Sequence, residues 1–175
     1  MICIAALFLA QPARLDGILF GKPVVFDHAV VQKLSGRASA ESNGKKEDEA
    51  DVYVLTFMKG ADMFYDQGIK FHLNVNPGMK LAKLSLTQPS VKFSTPEYSK
   101  VMHGHSKGSS CGRGAMVAFI RSAGKSESAS DQLRFKFFCK PLANGEYKAS
   151  IFAYASEFKS GVQGSFTFKL EKTQY

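Results

Sequence analysis

Apolar residues fall on every second position in several stretches of this chain, and that period limits what it can fold into more than any other feature. Leu133, Phe135, Phe137 and Cys139 alternate with Arg134, Lys136, Phe138 and Lys140; Val162, Gly164, Phe166, Phe168 and Leu170 alternate with Gln163, Ser165, Thr167 and Lys169. Ile69, Phe71, Leu73 and Val75 do the same against Lys70, His72, Asn74 and Asn76, and Tyr147, Ala149, Ile151, Ala153 and Ala155 continue the pattern. A strand turns successive side chains to opposite faces, so these stretches predict sheets with one covered and one solvated face. Pro23 to Leu34 carries apolar residues on both faces, as a strand partly covered on each would, and Val52 to Met58 reads as a second strand, dense in Val, Tyr, Leu and Phe.

Turn chemistry separates the strands. Asn76-Pro77-Gly78 predicts a turn that returns Met79 to Leu86 as the hairpin partner of the strand before it, and Asn144-Gly145 predicts another. Val91 to Phe93, between Pro89 and Pro96, suits a short edge piece. Gly112 to Arg121 predicts a strand, followed by a loop from Gly124 to Ser130. With about eight or nine strands and no amphipathic helix, the expectation is an all-β, antiparallel β-sandwich; a barrel of the same strand count is the alternative. Fifteen Phe, six Tyr, fifteen Gly and no Trp agree with short strands joined by tight turns.

Ile2 to Ala10 is an uninterrupted apolar run followed by Gln11, Pro12 and Ala13. Spanning a bilayer takes about 20 apolar residues, so the run is too short for a transmembrane segment. It matches the apolar core and small-residue exit of a secretory signal, although no positive charge precedes it; a buried first strand is the other reading. The domain expectation is therefore a signal segment over 1–13 and a single domain over 14–175, exported to the periplasm or secreted. The stretch 35–51, rich in Ser, Gly, Lys and Glu, is expected as a mobile loop.

Export leaves Cys111 and Cys139 as an even pair, which in an oxidising compartment predicts one disulfide; two buried thiols are the reading without export. The bridge would tie the open end of a hairpin made from the strands on either side of Gly124–Ser130. A net charge of +8 favours anionic partners. Its lysines are scattered, with no arginine-rich cluster or basic helix face, so specific nucleic-acid binding is not expected.

The segment Pro141-Leu142-Ala143-Asn144-Gly145-Glu146-Tyr147, continued through Ser156 to Gly164-Ser165-Phe166-Thr167-Phe168, resembles the last hairpin of periplasmic immunoglobulin-like sandwiches of the copper-resistance type. The likeness covers about 30 residues and implies an immunoglobulin-like fold and export. That family carries an Asp-Gly-His before its last strand and a histidine at its mature start. Here the corresponding loop is Glu157-Phe158-Lys159-Ser160-Gly161 and Arg14 stands near the start, so the copper ligands have no counterpart.

Two groups of residues invite chemistry. His103 and His105, two apart on an extended segment with Met102 beside them, present both imidazoles to one side and could begin a Cu or Zn site. Completing it would need His28, His72 or Glu97, and no such convergence is expected, so no cofactor is assigned. Gly108 to Gly114 lacks the order of a phosphate-binding loop, and Ser109, Ser110 and Cys111 lie in no nucleophile motif, so a non-catalytic module is expected. The second group is Phe138, Phe152 and Tyr154, aromatic residues on the expected polar faces of two consecutive strands. With Lys136, Lys140 and Lys148 around them they would form a patch for a partner protein or an anionic ligand; a face covered by the long loop or the N-terminal segment is the alternative.

Overall fold

The computed structural model describes residues 11–38, 41–42, 45–46, 50–60, 67–75, 85–88, 115–129 and 133–173. The chain is all-β. Its strands are β1 Gln11–Leu19, β2 Lys22–Ala38, β3 Glu41–Ser42, β4 Lys45–Lys46, β5 Ala50–Met58, β6 Gln67–Val75, β7 Ser85–Gln88, β8 Ala115–Ser122, β9 Lys125–Ala129, β10 Leu133–Pro141, β11 Glu146–Ala155 and β12 Ser160–Thr173. Apart from the small β3–β4 ladder they form one sheet in the order β7-β10-β11-β12-β1-β2-β5-β6-β8-β9. Neighbours run antiparallel, and β12 also pairs in parallel with β2 where Leu170–Thr173 meets Val31–Leu34.

Ring contacts show how strongly this sheet curls. Phe71 on β6 and Phe135 on β10 lie six strands apart in the order, which at about 4.8 Å per step would separate them by about 29 Å in a flat sheet. Their ring centroids are 5.4 Å apart. Phe57 on β5 meets Phe166 on β12 edge to face at 5.2 Å. The two ends of the sheet thus fold toward each other as a half-barrel, and the alternating residues read from the sequence fill its interior. Phe26, Phe57, Phe71, Phe135, Phe137 and Phe168 are all fully buried there.

Tight turns and close approaches set the curl. Phe20-Gly21 and Ala123-Gly124 both take positive φ at both residues, the conformation of two-residue turns that match strand twist. The first is tied across the sheet: the Phe20 amide donates to the buried Ser160 hydroxyl at 2.8 Å, and the Gly21 amide donates to the Lys159 carbonyl at 2.9 Å. At Gly17 on β1 a side chain would overlap the Phe26 ring, so the ring occupies the place where the inward stripe of β1 lacks a side chain.

Several sequence expectations are corrected. Of the segment expected to return onto β6, the described part, β7, pairs instead with β10, with Leu86 opposite Phe137, and β6 takes β8 as its other partner; 79–84 lie outside the described residues. Gly124 to Ser130 is not an open loop, because the Ala123-Gly124 turn sends β9 directly back along β8. The hairpin expected between the strands flanking it is therefore absent; β8 lies between β6 and β9, and β10 between β7 and β11. Part of the polar stretch 35–51 continues the ladder, with Arg37 opposite Asp51 and Ala38 opposite Ala50 beyond a bulge. Backbone pairing does not need apolar side chains. Gln11 to Ala13, assigned to the leader by sequence, belong to β1. Val91 to Phe93 lie outside the described residues.

Because Phe135 is fully buried against Phe71, Phe135→Ala should lower the unfolding free energy by about 3–5 kcal/mol. Phe138→Ala, three residues along on the outward face, should change it by about 0.5 kcal/mol or less. Urea denaturation of the two variants checks the difference.

Candidate functional site

Large apolar side chains remain exposed on one outward face. Strict alternation in β10 and β11 buries Phe135, Phe137, Ile151 and Ala153 and leaves Lys136, Phe138, Phe152 and the half-buried Tyr154 outside. Register brings them together: Lys136 stands opposite Phe152, Phe138 opposite Ser150, and Arg134 opposite Tyr154. Phe138 and Phe152 are therefore diagonal neighbours on adjacent strands, within reach of one bound group.

The row continues across β12 and β1. Phe152 faces Gln163 and Tyr154 faces Gly161 on β12. Gln163 and Gly161 face Asp16 and Ile18 on β1, and Asp16 in turn faces Val25 on β2. Phe138 is 54% exposed, Val25 48%, Ile18 41% and Phe152 36%. Four of the six large exposed apolar residues among those described thus share one face. A shallow groove of about 280 Å³ runs between Ile18 and Asp16 on one side and Phe152 and Tyr154 on the other, floored by Gly161. A side chain at Gly161 would collide with the Ala153 carbonyl oxygen and the Tyr154 ring, so glycine keeps the groove open.

Positive charge surrounds this face. Arg134, Lys136, Lys140 and Lys148 project from β10 and β11, with Lys140 directly opposite Lys148. On this stretch of the face the acids are Asp16 and Glu146, the latter opposite Lys169. Like charges placed opposite one another destabilise a ladder mildly, and an anionic partner would relieve that repulsion. The patch read from the sequence, Phe138, Phe152 and Tyr154 with Lys136 and Lys148, is brought together here. Ile18, Val25 and Arg134 were missed. Ile18 was legible only through register, Arg134 was read on the polar face of its strand but not joined to the patch, and Val25 lay in a strand read as partly covered on both faces.

A polar cluster occupies one mouth of the curled sheet. The Lys33 ammonium donates to Asp51 Oδ2 at 2.9 Å and lies 5.7 Å from the Tyr53 ring centre. Burial, and then the Asp51 charge and the neighbouring Tyr147 and Cys139, push the Tyr53 phenol from its ordinary 10 up to about 12. Burial alone pushes the Cys139 thiol up to about 12. A thiol held protonated in this way is a poor nucleophile, so the cluster is built for packing, not attack. Nearby, the Gln32 amide donates to Glu171 at 3.4 Å, and burial raises the Glu171 carboxyl.

The remaining expectations fall as follows. Cys139 is a free, buried thiol, and the bridge expected at it is not formed; Cys111, its expected partner, lies outside the described residues. His103, His105 and Met102 also lie outside them. Among the described residues no group of three or more His, Cys, Asp or Glu side chains could hold a metal. His28 donates from Nδ1 to Asp27 Oδ1 at 2.7 Å, and that oxygen also accepts the Gly60 amide at 2.7 Å. These two hydrogen bonds hold the Asp27 carboxyl below its ordinary range, the histidine bond contributing more, and the Gly60 bond ties β2 to the end of β5. Among the described residues no helix is long and apolar enough to cross a membrane. Comparison with protein-family models, curated proteins and solved structures found no match to this chain.

The raised phenol and thiol make a pH prediction. Each group binds its proton more tightly folded than unfolded, so the stability it contributes is present below its unfolded pKa and lost as pH rises toward its folded pKa. Stability should therefore fall between about pH 9 and 12, from the ordinary thiol value of 9.0 to the raised values of about 12. Urea midpoints measured across that window should fall less steeply in Tyr53→Phe with Cys139→Ala than in the unaltered chain.

Proposed function

We propose that this protein is an exported, non-catalytic binding module that holds an acidic polysaccharide on the outward face of β10, β11, β12 and β1. The observation that carries the reading is the in-register patch of Phe138, Phe152, Tyr154 and Ile18 flanked by Arg134, Lys136 and Lys148. Sugar rings present apolar faces that stack on exposed aromatic side chains, and uronate carboxylates pair with lysine and arginine. Phe152 and Tyr154, two residues apart on one strand, project about 6.5–7 Å from each other, a separation that lets one extended chain touch both. The shallow groove suits a chain lying along the surface better than an enclosed small molecule, which pockets usually surround.

The module reading also draws on architecture. The Phe57–Phe166 and Phe71–Phe135 contacts press the two halves of the sheet together as the layers of an immunoglobulin-like β-sandwich are pressed. The apolar run at Ile2–Ala10 supports export.

Retention on immobilised polygalacturonate, with neutral dextran as the control, tests the function. The intact chain should be held on the acidic polymer, should elute as salt rises, and should pass dextran freely. Phe138→Ser with Phe152→Ser should abolish retention without moving the thermal midpoint by more than a few degrees, and Lys136→Glu should weaken it about tenfold. Equal retention of the double variant, or binding to dextran as strong as to polygalacturonate, would overturn the reading.

A further inference from the structure

A second cluster, on the outward face of β6 and β8, is independent of the polysaccharide reading. Ile69 and Phe71 point inward and are fully buried, so Lys70 and His72 between and beyond them point outward. Across the ladder, Lys70 stands opposite Phe119, and Arg121 stands opposite Gly68, which contributes no side chain. On the other flank Arg121 faces Ser126 of the edge strand β9. The five side chains Lys70, His72, Phe119, Arg121 and Ser126 line one recess of about 290 Å³.

The chemistry of this recess is one-sided. Its lining holds two permanent cations, an imidazole and a hydroxyl, and no carboxylate. Glu127, the one acid of β9, stands opposite Ile120 on the other side of the ladder and lies 3.9 Å from Lys125. Cations gathered without a counter-charge repel each other, and the arrangement is favourable only when an anion joins them. The recess also has an apolar wall: Phe119 is 41% exposed, and its ring meets His72 at 5.1 Å, tilted by 57°. The charged group beside His72 is Lys70 on its own strand; Val117 of β8 and Val54 of β5 stand opposite His72, and Arg121 lies two rungs further along the same face, across from Gly68.

We propose that Lys70, His72, Arg121 and Ser126 bind a phosphate or sulfate ester whose ring rests on Phe119. The guanidinium of Arg121 offers two parallel N–H groups to the oxyanion, the Lys70 ammonium adds a point charge, and the Ser126 hydroxyl donates a further hydrogen bond. His72 joins as a donor from one ring nitrogen. Burial, with help from Lys70, holds the imidazole below its ordinary pKa, and a bound oxyanion opposes both effects by favouring the imidazolium.

Calorimetry of the full chain with phenyl phosphate, phenyl sulfate and inorganic phosphate, together with NMR titration of the His72 ring, tests this. At least one phenyl ester should bind with one-to-one stoichiometry at submillimolar Kd and at least fivefold tighter than inorganic phosphate; the two esters distinguish phosphate from sulfate as the natural group. Saturation should raise the His72 pKa by at least half a unit. Arg121→Gln should weaken ester binding about tenfold or more, and Phe119→Ser should remove the preference for the ester while leaving inorganic phosphate binding within about twofold. Circular dichroism should show both variants folded; should Phe119→Ser unfold, the His72 shift in the unaltered chain still decides. No binding of either ester at millimolar concentration, an unmoved His72, or unchanged affinity in folded Arg121→Gln would overturn the proposal.

Discussion

Contact between rings that sheet order places far apart is what the rest of this structure depends on. A ten-strand sheet presents too much apolar surface on one face to leave open, and the described chain has no helical layer to cover it. The sheet covers itself. Phe71 meets Phe135 and Phe57 meets Phe166 only because the sheet curls, and the curl requires backbones to approach closely where it bends. β1 shows the requirement plainly: it is wedged between β12 and β2, Gly17 yields its place to the Phe26 ring, and Gly161 opposite Ile18 leaves no room for a side chain. Beyond the end of that wedge β12 reaches β2 directly and pairs with it in parallel.

Much of the strand content was legible because the interior demands it. Wherever a strand has one face in the core, the demand is written as a period of two, as in β6, β10, β11 and β12, and the boundaries from sequence lie close to those observed. β1 was missed because its inward stripe, Ala13, Leu15, Gly17 and Leu19, is interrupted by a glycine whose space is filled from another strand. β9, read as a loop, is an edge strand with serines at alternate positions, and backbone pairing to β8 is enough to hold it. Partner choice left less trace still. Turn chemistry at Asn76-Pro77-Gly78 suggests a chain that returns on itself, but Ser85–Gln88 pairs with β10, and nothing in those four side chains specifies one partner over another.

The same distinction separates what could be seen of the candidate site. Outward aromatics announce themselves by breaking the polar half of the alternation, so Phe138, Phe152 and Tyr154 were visible in the sequence. Their neighbours on β1 were not, since Ile18 and Phe152 become adjacent only through β12, more than 140 residues along the chain from β1. The Lys70 and Arg121 recess was invisible for a like reason: 51 positions separate the two residues, and only the β6–β8 register brings them to one face.

A filled interior also explains where recognition is placed. Seven buried phenylalanines and their aliphatic neighbours fill the inward face among the described residues, and one mouth carries the Lys33–Asp51 pair and two groups held neutral by burial. Both candidate surfaces lie outside, on the flat faces of strands, where a ligand gains contact only if apolar area is left exposed. Both outward clusters meet that need with one device, a lysine directly across the ladder from a half-exposed phenylalanine: Lys136 with Phe152, and Lys70 with Phe119. The lysine stem shields the ring edge while its ammonium stays in water, which keeps an exposed aromatic soluble without covering its face. An approaching anion meets the charge first and the ring second, so one pair of residues supplies both attraction at a distance and apolar contact on arrival.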